Sequence, residues 1–138
     1  MAELKKKNSV KKLLIVDDSQ EIREGLKRLI VDLPSIELIG EAGDGGSALN
    51  MIDKLNPDFV TLDLKMPGLN GIITLLEIKK RHPRIIVLIL TNFPFEHYKE
   101  ACKSAGADYF FDKSNEFEQM IETLKMLSND SISKKKLN

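Results

Sequence analysis

The run Leu13-Leu14-Ile15-Val16 is continuously apolar and stops at Asp17-Asp18-Ser19; Ile22, Leu26, Leu29, Ile30 and Leu33 then recur at the spacing of one helix face. A strand buried on both sides followed by an amphipathic helix makes a β-α unit. Asp18 and Glu21 stand three residues apart, the spacing of a capping box, and Pro34 closes the segment. The pattern then returns. Ile36 to Glu41 reads as a strand, followed by turn glycines and a helix carrying Ala48, Leu49, Ile52 and Leu55. Asp58 to Asp63 is a third strand, and its helix carries Ile72, Leu75 and Leu76 up to the His82-Pro83 stop. Ile85 to Leu90 is apolar on both faces, as a central parallel strand covered by helices on both sides must be. A helix from about Phe95 to Ala105, a short strand Tyr109 to Phe111 and a helix with Phe117, Met120, Ile121 and Leu124 follow. Strands alternating with helices of this length predict a parallel sheet with right-handed crossovers inside one α/β layered domain.

Composition agrees with a single domain: 138 residues, 42% hydrophobic, leave no room for two cores. Cys102 is the only cysteine, so no internal disulfide forms and a reducing compartment is favoured. The longest apolar run, Ile85 to Leu90, is far short of the ~20 residues that span a bilayer. The start, Met1 to Lys7, has charge without an apolar stretch behind it, so cytoplasmic residence without membrane insertion is expected. Charge is balanced at 21 against 21, but unevenly distributed. Eight lysines and one glutamate lie in residues 1–12 and 134–138, which leaves the body from Leu13 to Ser133 at −7. Residues 1–11 and 128–138 read as lysine-rich, solvated tails around a domain over 12–127. Direct binding of DNA by the acidic body is not expected. No span remains for an effector domain, so the expected output is contact with another molecule.

Candidate chemistry gathers at the strand ends. Asp17 and Asp18 follow the first strand, Asp63 ends the third, Thr91 follows the fourth and Lys113 lies just past the fifth. In an open parallel sheet the carboxyl ends of the strands share one edge, where ligands bind. Three carboxylates brought together repel and need a positive partner. A divalent cation supplies one; all-oxygen ligation with retained water suits Mg2+, and no His or Cys stands near for zinc. A carboxylate is also a nucleophile toward phosphorus, and positive charge on the equatorial oxygens, shared by Mg2+ and a lysine, lowers the barrier to transfer. The Thr91 hydroxyl is a donor suited to a phosphoryl oxygen.

The segments Asp17-Asp18, Leu62-Asp63-Leu64-Lys65-Met66-Pro67-Gly68-Leu69-Asn70-Gly71, Leu90-Thr91 and Gly106-Ala107-Asp108-Tyr109-Phe110-Phe111-Asp112-Lys113 resemble the receiver domain of two-component response regulators, over about Lys12 to Leu127. The resemblance implies a flavodoxin-like three-layer α/β/α sandwich whose five-stranded parallel sheet has the order 2-1-3-4-5. It implies that Asp63 is the phosphorylation site and takes its phosphoryl group from a phosphohistidine on a sensor histidine kinase or a histidine phosphotransfer protein. It further implies that Asp18, Asp63 and the main-chain carbonyl of Lys65 hold Mg2+, with Asp17 acting largely through water, and that Lys113 pairs with Asp63 or its phosphoryl group. Thr91 and Phe110 become the switch: Thr91 moves toward the phosphate and Phe110 rotates inward, reshaping a face of the fourth helix, fifth strand and fifth helix for a downstream protein target. Such a protein catalyses its own phosphorylation and dephosphorylation but is primarily a signalling protein. Two positions depart from the family pattern. Ser114 replaces the usual Pro after Lys113, which predicts a trans peptide or strain there, because a non-prolyl cis bond costs roughly 2.5–4 kcal/mol. Phe110 replaces the common Tyr and has no hydroxyl to bond outward. Lys65 occupies a place that in the family influences hydrolysis of the acyl phosphate.

Single residues also have ordinary explanations. Asp17 and Asp18 suit a helix cap, Thr91 a strand end, Lys113 a solvated charge, Cys102 a small buried hydrophobe, His82 a helix stop and His97 the surface. One of Phe110 and Phe111 is simply core, since they alternate across a strand. Two other functions compete. Gly43-Asp44-Gly45-Gly46-Ser47-Ala48 has the G-x-G-x-x-A form of a dinucleotide fingerprint, with Asp63 twenty residues on from Gly43. That reading leaves Asp17, Asp18 and Lys113 without work. The other is a receiver-like binding module that signals without phosphorylation; the complete set of acids, Thr and Lys argues against it.

Overall fold

A computed structural model of the chain describes residues 10–65, 70–92 and 96–129. Most of both expected tails, Met66 to Leu69 of the motif and the helix start at Phe95 lie outside the described residues. The elements are β1 (Lys11–Val16), α1 (Gln20–Ile30), β2 (Ile36–Ala42), α2 (Gly45–Leu55), β3 (Phe59–Leu62), α3 (Gly71–Arg81), β4 (Ile86–Thr91), α4 (Glu96–Ser104), β5 (Tyr109–Asp112) and α5 (Phe117–Ser128). All strand pairs are parallel and the order is β2-β1-β3-β4-β5.

Strand periodicity builds the two faces. Leu14, Val16, Val60, Leu62, Val87 and Ile89 point to one side, where Ala48, Leu49 and Ile52 of α2, Leu75 and Ile78 of α3 and Cys102 of α4 cover them. Leu13, Ile15, Phe59, Leu88, Leu90 and Phe111 point to the other, under Leu26 and Ile30 of α1 and Met120, Ile121 and Leu124 of α5. The sandwich is therefore three layers deep, as expected. Cys102 is fully buried among apolar groups, which push its thiol up to about 11.

Sequence periodicity misjudged several helix details. Ser19, not Asp18, caps α1: its side chain accepts from the Ile22 amide, which leaves the Asp18 carboxylate unengaged in capping. The α-helix stops at Ile30, so Leu33 reaches the core from the turn that follows, and Leu29 is 41% exposed instead of core-facing. Leu55 and Leu76 are likewise exposed, because each helix lies on a sheet and buries a stripe narrower than its apolar pattern. β1 starts at Lys11, two residues early, since Lys11 and Lys12 extend the ladder to Ile36 and Glu37.

One close approach seats the start of α3 against the end of β3. The Gly71 amide donates to the Leu64 carbonyl at 2.8 Å, and a Cβ at Gly71 would lie 2.4 Å from Leu64 Cα and 2.5 Å from the Asp63 carbonyl oxygen. Only glycine lets α3 begin against that backbone. Gly71→Ala is expected to cost about 1–3 kcal/mol in urea denaturation, because the clash is with main chain and has no flexible neighbour to yield. Within β3, the Thr61 hydroxyl is buried and has no hydrogen-bond partner among the described residues. The isosteric Thr61→Val removes that unsatisfied group and is expected to stabilise the protein by about 1 kcal/mol in the same assay.

Candidate functional site

The carboxyl ends of β1, β3, β4 and β5 meet at one edge of the sheet. Register alone brings them close: Val16 pairs with Leu62, Leu62 with Ile89, and Thr91 with Asp112, so the residues that follow each strand emerge together. The Asp17 amide donates to Ala42, the Asp63 amide to Val16 and the Lys113 amide to Thr91, each at 2.8–3.0 Å, continuing the ladder past the last paired side chains.

Asp17, Asp18 and Asp63 converge, each offering a carboxylate oxygen within 4.8 Å of the others. Asp17 and Asp63 are buried and Asp18 is exposed, so the cluster opens to solvent on the Asp18 side. Lys113 enters from the β5 side. Its Nζ lies 2.8 Å from Asp17 Oδ2 and 3.4 Å from Asp63 Oδ2, with its side chain only 8% exposed. Asp17 Oδ1 accepts from the Ser19 amide at 2.9 Å. Asp63 also accepts from the Lys65 amide, and it is displaced upward to about 6. Burial is the largest cause; the Lys113 ammonium opposes it, the Asp17 charge adds to it, and the Lys65 amide and Lys113 hydrogen bonds pull back.

Lys113 is itself held by its loop. Asp112 accepts from the Ser114 amide at 3.0 Å and from Asn115 Nδ2 at 3.1 Å, while Glu116 Oε1 accepts from the Asp112 amide at 2.9 Å. The Lys113–Ser114 peptide is trans, and the Ser114 N–H that a proline would lack closes this Asx turn.

Thr91 ends β4 fully buried, and Phe110 lies half-buried on the α4 side, packed with Tyr98 and Ala107 against the core there; Phe111 faces α5 as core. The helix N-terminus behind the glycine-rich loop is already filled: Asp44 caps α2, accepting from the Ser47 amide at 2.8 Å and from its hydroxyl at 3.0 Å. A pyrophosphate would have to displace that carboxylate, so the dinucleotide reading fails. His82 terminates α3 with its ring on Asp53 and His97 is exposed; neither joins the cluster. Sequence reasoning gave no role of their own to Ser19, Gly71, Asp112 and Glu116. The first and third lie one residue from residues it chose, and a Ser at a strand-to-helix turn is a cap signal in its own right.

The response regulator receiver domain family matches residues 13–125. The chain belongs to that family. Among curated relatives, the receiver is 31% identical over 116 residues to the transcriptional regulatory protein DegU of Brevibacillus brevis, covering 84% of this chain and 49% of that protein. It is 44% identical over 96 residues to protein-glutamate methylesterase/protein-glutamine glutaminase 4 of Geobacter metallireducens, covering 70% of this chain and 28% of that one. The chain thus spans half or less of the length of these two relatives. Among solved structures, the response regulator domain of Thermotoga maritima CheB superposes with a TM-score of 0.78 at 30% identity, covering 90% of this chain and 97% of that one.

The raised carboxyl of Asp63 makes a stability prediction with a definite sign. Between pH 4 and 6 the folded receiver keeps a proton that the unfolded chain has released, so stability falls as pH rises through that window and then levels off. Asp63→Asn is expected to stabilise the metal-free protein by about 1–2 kcal/mol above pH 6.5, less than the full shift implies because water at the rim screens the charge. Lys113 has its shorter contact to Asp17, which that substitution does not touch. Urea denaturation in chelator should show the advantage vanishing below pH 4.

Proposed function

We propose that this receiver is a phosphorylation-controlled switch whose acceptor is Asp63. The supporting observation is the meeting of a buried carboxylate, a buried lysine ammonium and two further carboxylates within a few ångströms at the strand ends. Three carboxylates against one lysine leave a net negative pocket, the donor set a hard divalent cation requires. Asp17, Asp18 and Asp63 with the Lys65 main chain are the residues that would hold Mg2+. Bound there, the cation would supply positive charge against the acids and the incoming phosphoryl group.

The chain's own residues account for the rest of the transfer. An Asp63 carboxylate oxygen attacks the phosphorus of a phosphohistidine on a sensor histidine kinase or histidine phosphotransfer protein; the P–O bond forms as the P–N bond breaks, and the imidazole leaves with its electron pair and takes up a proton. Lys113, already tethered by Asp17, needs only a small movement to pair with a phosphoryl oxygen. The Thr91 hydroxyl turns toward the same group, and Phe110 follows into the space released. The charge event is thereby read out by packing on the face of α4, β5 and α5, where a downstream protein docks. Lys65, exposed beside the acceptor, is placed to influence hydrolysis of the acyl phosphate. Residues 12–127 form the signalling domain, with lysine-rich tails on either side. No helix among the described residues is long and apolar enough to cross a membrane, which suits a partner-binding role in the cytoplasm without direct contact to DNA by the acidic body.

Intact-mass spectrometry after incubation with Mg2+ and acetyl phosphate tests the reading. One added phosphate is expected, absent from Asp63→Asn and from protein in chelator. Regulation of a partner by the kinase that persists unchanged in Asp63→Asn would instead favour a module that signals without phosphorylation.

A further inference from the structure

β2 carries an irregularity beside the site. Leu13 pairs with Leu38 but Leu14 pairs with Gly40, so Ile39 is an extra residue in the ladder. A bulge reverses the facing of everything beyond it. Leu38 packs on the α1 side, whereas Gly40 lies against Leu14, Leu55 and Met51 and Ala42 joins the α2 side. Glu41 consequently points toward α1, where an unbroken strand would aim it at α2.

There it meets two cations. Arg23 Nε donates to Glu41 Oε1 at 2.8 Å, and Lys27 Nζ lies 2.7 Å from Glu41 Oε2 and 2.8 Å from Glu24. This company holds the Glu41 carboxyl below its usual range, Lys27 contributing most. The other arm of the guanidinium does something different: Arg23 Nη1 donates to the main-chain oxygen of Asp17 at 2.6 Å. Gly43 is the neighbour across this contact, and a Cβ there would lie 3.5 Å from Arg23 Nη1. The backbone of Asp17 is thus held from both sides, its amide by Ala42 and its carbonyl by Arg23, with Ser19 closing the turn onto its carboxylate.

We propose that Arg23 is a positioning residue for the acidic pair: braced by Glu41, which the β2 bulge turns toward α1, it fixes the Asp17 carbonyl and so the loop that presents Asp17 and Asp18 to a divalent cation. The inference rests on the metal reading above. A charge-only role makes the opposite prediction, since a guanidinium beside an acid cluster repels a cation and its removal would tighten binding. Lysine separates the two roles: it keeps the charge but lacks the planar fork that serves the Glu41 and Asp17 acceptors together.

Mg2+ binding to the full chain is measured by titration calorimetry for the parent, Arg23→Gln, Arg23→Lys and Glu41→Gln, with urea denaturation in chelator to verify folding and amide hydrogen exchange in metal-free protein. Both Arg23 variants are expected to weaken Mg2+ affinity about tenfold, as loss of an outer support to a ligand does, and Glu41→Gln a few-fold. The Ser19 amide should exchange faster in all three without metal. At saturating Mg2+ the rate of phosphorylation by acetyl phosphate should return close to the parent's, because Arg23 does not touch the acceptor. Unchanged or tighter Mg2+ binding in Arg23→Gln, or restoration of parental affinity by Arg23→Lys, overturns the proposal while leaving the metal reading intact. A parent that binds no Mg2+ overturns the metal reading and this inference with it; should the Arg23 variants not fold, Glu41→Gln decides by the same two readouts.

Discussion

A lysine ammonium set among buried carboxylates is the interaction on which the site depends. Burial alone would drive Asp63 toward its neutral form, and Asp17 pushes the same way. Lys113 offsets part of that from a side chain almost as buried as the acids it faces. It leans toward Asp17, at 2.8 Å against 3.4 Å to Asp63. The arrangement leaves Asp63 less firmly engaged than Asp17, so the proposed acceptor is also the carboxylate most readily released from the lysine. An isolated buried ion pair is weak evidence for stability because desolvation competes with attraction. Here the excess of carboxylates makes the point sharper: the edge is a place where folding energy is given up.

The rest of the fold holds that edge in place. Two cores on opposite faces of the sheet clamp β1, β3 and β4, whose described side chains are nearly all buried, so their ends cannot drift independently. At the far edge, Lys79 of α3 reaches the Ile85 carbonyl at 2.6 Å and Asp108 at 2.8 Å, while Asp108 accepts from the Val87 amide at 2.9 Å. α3 and the entries to β4 and β5 are tied there by charge-assisted bonds. Any displacement begun at Thr91 or Lys113 therefore meets fixed strand entries and must be taken up near the strand exits and the helices that follow them.

Much of this was legible in the sequence, for reasons that differ by element. Parallel strands covered on both faces must be apolar throughout, so Leu13 to Val16 and Ile85 to Leu90 could hardly be misread. The site was legible because topology places strand ends together whatever their separation along the chain. Helix faces were harder. Leu29, Leu55 and Leu76 fit the helical period yet stay exposed, because periodicity records which residues share a stripe and not how wide a stripe the sheet covers. Asp18 and Glu21 fit a capping box, but Ser19 stands one residue closer to the helix and wins the amide.

The bulge in β2 went unread, and its consequence shows which signal was missed. Ile36 to Glu41 alternates poorly as a strand, since one extra residue switches the phase at Ile39. Read without the switch, Glu41 is a charge aimed into the core under α2, an unfavourable place for an unpaired carboxylate. Read with it, the same residue faces Arg23 and Lys27, two helix positions whose charges otherwise look like ordinary surface. A charged residue near the end of a strand that breaks its own alternation is thus a physical signal of irregular backbone, and the oppositely charged residues one helix away indicate the side to which it turns.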